Sequence, residues 1–340
     1  MSAKQPDQGL PETRALMMAL NRYRDTNAQR SLFELAITVL PLAGLWFVAW
    51  LFYHYGYWWA SLLVAIPAGG FLVRLFIIQH DCGHGAFLNN RHANDWIGRV
   101  LGVFTMTPYD VWKSAHTIHH SSCGDLDRRG IGDIDTLTVT EYRALSKLGK
   151  LKYRLYRSAP VLFVIGPAYM FFLQQRIPMR FITGGWKPWV STQATNIGIA
   201  ALAAGLIWLV GWQAFLLIHL PIVMIAAMAG VWMFYVQHQF ENTIWAKHDD
   251  WNFGEASLHG SSFYDLPLGL NWLTGYIGVH HVHHLCSRIP FYRLPEVLRD
   301  FPALRQVGRI SMLQSLKCVN LSLWDERQRR LVSFRDARLA

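Results

Sequence analysis

The sequence predicts an all-α integral membrane protein in which four transmembrane helices carry a helical, histidine-rich cap on one side of the bilayer. Of the 340 residues, 52% are hydrophobic and only 16% are charged, which is unlike the composition of a soluble domain. No Asp, Glu, Lys or Arg occurs between Pro188 and Phe240, a run long enough to cross a bilayer twice. We expect one domain over residues 1–340.

The first two spans are predicted from the uncharged runs Leu35 to Tyr53 and Trp58 to Gln79, the latter interrupted only by Arg74. Each run can cross a hydrocarbon core of about 30 Å. We expect Arg74 to snorkel towards the lipid headgroups. Residues 1–31 are polar and basic, so this segment is expected to stay cytoplasmic.

Residues 80–190 are predicted to form a cytoplasmic insertion between the second and third spans. Within it, Ser158 to Gln175 is uncharged and long enough to cross, but Lys and Arg flank both of its ends. Cations mark the cytoplasmic side, and the segment also contains Pro160 and Pro167, which interrupt helices. We therefore predict a membrane-surface or re-entrant segment.

The last two spans are predicted at Ala194 to Val210 and Ala214 to Val236, joined by a link without Lys or Arg. Residues 32–240 thus contain four spans, which return the chain to the side on which it began. Residues 241–340 are predicted to form a cytoplasmic cap, in which Leu323 to Leu331 is expected to be helical. Both termini are then cytoplasmic.

Three histidine clusters stand where the predicted spans reach this side. They are His80 and His84; His116, His119 and His120; and His280, His281, His283 and His284. Positions i, i+3 and i+4 share one face of a helix, so three imidazoles converge in each of the last two clusters. The HxxHH spacing favours His280 over His281, although the run of four leaves the register open.

Imidazole is a good ligand for iron, zinc, copper and nickel, so the clusters predict a metal site in preference to a polar helix face. Hydrolytic zinc needs only about four ligands, whereas many neutral imidazoles without a clear carboxylate bridge suit redox iron. The net charge of +10 comes from cations that flank apolar segments. This placement suits contact with lipid headgroups and argues against nucleic acid as a partner.

The clusters resemble the three histidine boxes of the integral-membrane fatty acid desaturase family. The matching motifs are His80-Asp81-Cys82-Gly83-His84, His116-Thr117-Ile118-His119-His120 and His280-His281-Val282-His283-His284, and Tyr235 to Glu241 is similar to the bacterial acyl-lipid branch. The resemblance implies a metal ligand set of His80, His84, His116, His119, His120, His238, His280, His283 and His284.

The resemblance also implies an activity: the O2-dependent introduction of a cis double bond into a lipid acyl chain, with two iron ions as cofactors and O2 as co-substrate. It favours the Δ12 or ω-6 branch and a bacterial inner membrane with the active site on the cytoplasmic side. No glycine-rich dinucleotide fingerprint or fused cytochrome b5-like domain occurs in the sequence. The family therefore suggests a ferredoxin as the electron donor.

Several polar residues near the clusters could orient the ligand imidazoles through their outer N–H groups. The candidates are Asp81, Glu241 and His259, and the four aspartates Asp125, Asp127, Asp133 and Asp135. The four aspartates could instead belong to a solvated acidic loop, and His259 could be an ordinary loop histidine. Membrane hydroxylases, epoxygenases and carotenoid ketolases share the histidine boxes and are alternatives. From a different class, a histidine-ligated haem protein or a metal transporter would place its histidines in mid-span.

Overall fold

In a computed structural model, which describes residues 12–178 and 185–339, the chain is built mainly of α-helices. In chain order they are α1 (Thr13–Leu20), α2 (Ala28–His54), α3 (Trp58–His84), α4 (Arg91–Phe104), α5 (Tyr109–Ser122), α6 (Val139–Ala144), α7 (Lys147–Tyr156), α8 (Gly166–Phe172), α9 (Lys187–Val210), α10 (Trp212–His238), α11 (Phe253–His259), α12 (Leu268–Leu273), α13 (His280–Leu285), α14 (Leu294–Asp300), α15 (Met312–Cys318) and α16 (Asp336–Leu339). Residues 1–11 of the predicted N-terminal segment and 179–184 of the predicted insertion lie outside the described residues.

Four of these helices confirm the predicted membrane fold. Helices α2, α3 and α10 each have 27 residues and α9 has 24, and all four are long and apolar enough to cross a membrane. They extend the predicted spans, most of all at the starts of α2 and α9, and the C-terminal ends of α3 and α10 continue to His84 and His238. The predicted boundaries of the N-terminal segment, the insertion and the cap stay predictions.

Helix α3 lies at the centre of the bundle, packed between α2 and α10. At Gly69, a Cβ atom would lie 2.6 Å from Cγ2 of Ile225 on α10, so only glycine permits this close approach of the two helices. Both α3 and α10 have their C-terminal ends on the side of the cap. The bundle therefore brings His84 and His238 to one end.

Arg74 on α3 is buried, so the prediction that it snorkels to the headgroups is wrong. Its guanidinium forms an ion pair with Glu34 of α2, donates to the hydroxyl of Thr38, and lies 4.1 Å from the ring centroid of Trp272. Arg74 and Glu34 are each only 1% exposed. The positive charge of Arg74, which we had expected to contact lipid headgroups, is instead paired with the buried carboxylate of Glu34.

The chain bends at the start of the segment predicted to lie on the membrane or to re-enter it. Helix α7 and the helical stretch Val161–Arg176 meet at an angle of 57°, which is typical of a broken span or a re-entrant loop. Pro160 lies at this break, and a π-helical turn at Val161–Ile165 follows it. The predicted segment is thus not a straight continuation of α7, and its depth in the membrane stays a prediction.

Two small sheets connect segments of the chain outside the membrane helices. Their strands are β1 (Leu137–Thr138), β2 (Phe263–Asp265), β3 (Arg309–Ser311), β4 (Leu323–Asp325) and β5 (Arg330–Val332). β2 pairs with β3 in parallel, and β4 pairs in parallel with β1 and antiparallel with β5.

The prediction of a helix over Leu323 to Leu331 is therefore wrong, because this segment is the β4–β5 hairpin. The Asp325 carboxylate accepts hydrogen bonds from the backbone N–H groups of Arg327 and Gln328, both at 2.9 Å. Such Asx hydrogen bonds stabilise a turn, and Arg329 with φ of 52° completes it.

Candidate metal centre

The nine histidines of the predicted ligand set lie on four helices from different parts of the chain. The last two turns of α3 carry His80 and His84, α5 carries the second cluster, α10 ends at His238, and α13 carries the third cluster. Two of these helices belong to the membrane bundle, α5 belongs to the insertion and α13 to the cap. The centre thus forms where the bundle meets the insertion and the cap.

Helix α5 is held in place by contacts with α4. Gly98 of α4 allows the ring of Tyr109 to pack directly against the helix, and the Tyr109 hydroxyl donates to Asp95 at 2.8 Å. Lys113, one turn further, donates to the same carboxylate at 2.7 Å. These bonds fix the rotation of α5 and therefore the direction of its histidines.

Helix α13 is held against the end of α10 by backbone hydrogen bonds. Ser262 N–H donates to the carbonyl of Gln237 at 2.9 Å, and Tyr264 N–H donates to the carbonyl of Gly278 at 2.8 Å. The short strand β2 therefore joins the last turn of α10 to the residues just before α13. This connection places the third cluster beside His238.

The structure divides the nine predicted ligands into two groups, in each of which one nitrogen per residue lies within 4.8 Å of the others. The five-histidine group consists of His80, His84, His116, His120 and His283. The four-histidine group consists of His119, His238, His280 and His284.

The spacing of ring nitrogens inside each group fits a bound metal ion. The Nε2 atoms of His116 and His80 are 2.9 Å apart, and those of His280 and His238 are also 2.9 Å apart. Two nitrogens at right angles around an ion, each at a metal–imidazole distance of about 2.1 Å, would be separated by about 3.0 Å. The donor set fits metal coordination, and no Asp, Glu or Cys of the described residues joins either group.

Five of the predicted ligands that lie outside the four long apolar helices are uncharged at neutral pH. Burial lowers the pKa of His116, His120, His280, His283 and His284 well below the ordinary value, and the neighbouring imidazoles lower it further. Neutral imidazole is the form that binds a metal. These five imidazoles can therefore bind a metal ion without first releasing a proton.

The two groups are in contact with each other. The rings of His120 and His284, one from each group, stack with their centroids 4.1 Å apart and their planes 12° apart. The rings of His116 and His119 lie parallel within 21° at 5.8 Å. Two ions held by the groups would be close neighbours.

Asp133 makes the clearest hydrogen bond to the outside of a predicted ligand. Its carboxylate accepts from Nδ1 of His119 at 2.5 Å, and both side chains are buried. A carboxylate in this position fixes the tautomer and the orientation of a ligand imidazole. The Asp81 carboxylate lies 3.7 Å from Nδ1 of His80 and accepts the backbone N–H of Phe291 at 2.7 Å.

The other candidates for an orienting role lie elsewhere. Asp135 is exposed, and its backbone bonds to the hydroxyls of Tyr153 and Tyr156. Glu241 forms an ion pair with Arg330 at 3.0 Å, and His259 is the last residue of α11.

The two acidic residues of the preceding loop both bond to His248, which is outside the ligand set. The Asp125 carboxylate lies 2.8 Å from Nδ1 of His248, and Asp127 accepts the backbone N–H of the same residue at 2.8 Å.

The structure gives His280 and His281 different surroundings. His280 belongs to the four-histidine group, whereas the imidazole N–H of His281 donates to the carbonyl of Leu304 at 3.0 Å. Burial lowers the pKa of His281 to about 4, so it is a neutral residue of the core of the cap.

Two neighbours of the centre were missed by sequence reasoning. The ring of Trp112 stacks on His116 at 4.7 Å with an interplanar angle of 15°, and the thiol of Cys123 lies 3.3 Å from Nδ1 of His238. The position of Trp112, one helical turn before His116, was a signal that it shares a face with the second cluster. For Cys123 the sequence offered only its closeness to that cluster.

Comparison with known proteins gives consistent relatives along most of the chain. The family model described as fatty acid desaturase matches residues 57–312. A fatty acid desaturase of Bacillus subtilis is 42% identical over 313 residues, which cover 92% of this chain and 88% of that protein. An sn-1 acyl-lipid omega-3 desaturase (ferredoxin) of Synechocystis sp. is 27% identical over 86% of this chain and 83% of that protein. A protein of the same description from Nostoc sp. is 26% identical, with coverages of 88% and 81%.

Proposed function

The chain belongs to the fatty acid desaturase family, and from this premise we propose that it uses O2 and two iron ions to introduce a cis double bond into a lipid acyl chain. It is an oxidoreductase with four apolar helices that could span a membrane. The observation that carries the proposal is the division of the nine histidines into two adjoining groups.

The two histidine groups are proposed to hold one iron each. Bound iron would supply the activation of O2 and the removal of hydrogen from two neighbouring methylene groups. The donor set supports iron, because nine imidazoles are more than hydrolytic zinc requires. The protein supplies the position of each ring, because the ligand histidines lie on four helices that pack together.

The substrate is proposed to be an acyl chain of a membrane lipid. The five-histidine group includes the C-terminal residue of α3, and the four-histidine group includes that of α10. The centre therefore lies at the ends of two apolar helices, where a chain from the adjacent leaflet can approach it. Positioning of one C–C bond beside the metal ions is then the main catalytic task of the protein.

We also propose a bacterial inner membrane as the location, with the centre on the cytoplasmic side. The basic residues that surround α7 and precede α2 support this orientation, because Lys and Arg are enriched in cytoplasmic segments. A ferredoxin is the proposed electron donor. The descriptions of the relatives from Synechocystis and Nostoc, which name ferredoxin, support it.

The sequence motifs and the relatives point to different positions for the double bond. The sequence motifs resemble the Δ12 or ω-6 branch, whereas the two cyanobacterial relatives are described as omega-3 desaturases. Profiling of fatty acid methyl esters after expression in a host without polyunsaturated lipids distinguishes these positions. A new dienoic acid supports Δ12 chemistry, and a trienoic acid formed from supplied linoleate supports omega-3 chemistry.

The activity is tested in the same host with the double variant His283→Ala, His284→Ala, which removes one ring from each group. We expect a new double bond with the natural sequence and none with the variant, with equal amounts of both proteins in the membrane. A hydroxylated or epoxidised lipid without a new double bond would favour the related oxygenases. A haem absorption band, or one zinc and no iron per chain, would favour the haem protein or transporter.

A further inference from the structure

An open cavity of about 520 Å³ reaches the metal centre from the cap. Its wall includes His120 and His284, the stacked imidazoles that belong one to each histidine group. None of the described residues that line it belongs to one of the four long apolar helices. A molecule seated in this cavity would therefore contact both groups without entering the bilayer.

The lining of this cavity combines cationic and apolar side chains. It includes Arg14 and Arg24 and, among the described residues, no carboxylate. Met17, Met18 and Phe253 supply apolar surface, and Met18 is 62% exposed. Neither arginine forms an ion pair with a described residue, although Arg24 donates to the side chain of Asn21 at 2.7 Å. Both guanidinium charges are therefore available to a partner.

A second cavity of about 400 Å³ lies beside the first and is also lined by cations. It reaches His84 of the five-histidine group, and Arg91, Lys113 and Arg288 line it without a carboxylate from the described residues. Ser287 lines the first cavity and Arg288 the second, so the two cavities flank one short segment. We call the surface formed by Arg14, Arg24, Arg91, Lys113 and Arg288 the cationic face.

We infer that the cationic face is the docking surface of the electron donor, a small acidic one-electron carrier, and that electrons reach the centre through the stacked rings of His120 and His284. This inference rests on the proposed function. The argument is charge complementarity, because five cations converge on cavities that lead to predicted metal ligands, and among the described residues only Lys113 of the five is paired with a carboxylate, that of Asp95. Complementary charge steers a partner and fixes its orientation, while Met17 and Met18 offer adaptable apolar contact.

The electron balance of desaturation requires such a donor twice per turnover. Reduction of O2 to two molecules of water takes four electrons and four protons. The acyl chain supplies two electrons and two protons when two C–H bonds break and the C=C bond forms. Two reduced one-electron carriers supply the other two electrons, and two protons come from water. Each carrier leaves oxidised, so the docking surface must bind reversibly.

The experiment measures the full-length enzyme in lipid vesicles with a reduced acidic [2Fe–2S] ferredoxin. The docking variant is Arg24→Glu with Arg288→Glu, one change in each cavity. The control variant is Arg327→Glu with Arg335→Glu, which changes the charge equally at two exposed arginines that line neither cavity. A second assay omits the carrier: the anaerobic enzyme is reduced with dithionite, O2 is admitted, and the product of a single turnover is measured.

We expect the KM for ferredoxin to rise at least tenfold in the docking variant and less than twofold in the control, because rim charges govern association. In the natural enzyme this KM should rise with ionic strength, and in the docking variant the salt dependence should be weaker. Product from the single turnover should be equal in all three proteins.

Equal KM values in the docking and control variants would overturn the inference while leaving the proposed function intact. A difference between the docking and control variants that appears only in vesicles containing anionic lipid, and not in vesicles of neutral lipid, would also overturn it, since the face would then bind anionic lipid. Absence of any unsaturated product in the single turnover of the natural enzyme would overturn the proposed function, and the docking surface with it.

Discussion

Removal of the Asp133 carboxylate tests whether the outer contact of His119 contributes to metal binding. The imidazole N–H of His119 donates to this carboxylate at 2.5 Å, and the two side chains are 0% and 6% exposed. A hydrogen bond to a charged group contributes about 1.5–3 kcal/mol, and every 1.4 kcal/mol is about a factor of ten in affinity. For Asp133→Ala we therefore expect iron affinity in the four-histidine group to fall about 10- to 100-fold.

The chain offers a matched control two residues away. Asp135 is exposed, and the hydrogen bonds described for it use its backbone. Asp135→Ala should therefore leave iron affinity unchanged. Asp133→Asn keeps the shape of the side chain and removes its charge, and because neutral hydrogen bonds are about half as strong as charged ones, its effect should lie between those of Asp133→Ala and the control.

The assay is iron release under equilibrium conditions. Purified protein loaded with Fe²⁺ is dialysed without oxygen against a graded series of chelator concentrations, and iron per chain is measured by mass spectrometry. For Asp133→Ala we expect two steps, with the first at a chelator concentration 10- to 100-fold lower than in the natural protein. Release of both irons at the natural concentration would refute the reasoning. An equal loss of affinity for both irons would show that Asp133 does not act on the four-histidine group alone.

Three further predictions concern the third histidine cluster and the helix bundle. For His281→Ala we expect iron content to be unchanged and unfolding to be easier by about 1–3 kcal/mol, because the carbonyl of Leu304 loses its donor; His280→Ala should lose iron. For Glu34→Gln we expect a loss of about 3–5 kcal/mol in unfolding free energy, since Arg74 is left buried and unpaired. For Gly278→Ala we expect loss of both iron and activity, because the added Cβ would clash with the backbone carbonyl of Tyr264.

Each of these predictions has a comparison that can contradict it. Equal iron content in His280→Ala and His281→Ala would remove the distinction between the two positions. If the double variant Glu34→Gln, Arg74→Met were no more stable than Glu34→Gln, the uncompensated charge would not be the cause. Gly269→Ala is the control for Gly278→Ala, because no atom lies within 4 Å of its Cβ position, and equal activity of the two variants would contradict the steric argument.

The elements that sequence periodicity predicted well are those in which local information is sufficient. The apolar runs predicted four spans, and the structure contains a long helix at each. The spacing of His116, His119 and His120 predicted a helical face, and these residues lie on α5. Both predictions use the hydrophobicity and the helical spacing of residues that are close together in the sequence, so no distant contact is needed to make them.

The contacts that sequence could not predict depend on distant parts of the chain. Asp133 and Asp135 are two residues apart in one loop, and only the path of that loop sets the first against His119. The choice between His280 and His281 depends on the carbonyl of Leu304, more than twenty residues later.

The β4–β5 hairpin was missed for a local reason. Charged residues of high helix propensity fill its turn, so the sequence there resembles that of a helix.

The arrangement of the two groups follows from helix geometry. At about 100° per residue, positions i and i+4 differ by about 40°, whereas i+3 lies about 60° to the other side of i. On α5, His116 and His120 join the five-histidine group, and His119 joins the four-histidine group. One HxxHH box therefore supplies a pair of rings to one group and a single ring to the other.

Helix α13 repeats this division in the opposite sense. Its i and i+4 residues, His280 and His284, join the four-histidine group, and its i+3 residue, His283, joins the five-histidine group. The two boxes thus divide between the groups in complementary ways, and each helix contributes rings to both groups. Because a rotation of either helix would displace rings from both groups at once, the position of α5 against α4 and of α13 against α10 determines the geometry of the whole centre.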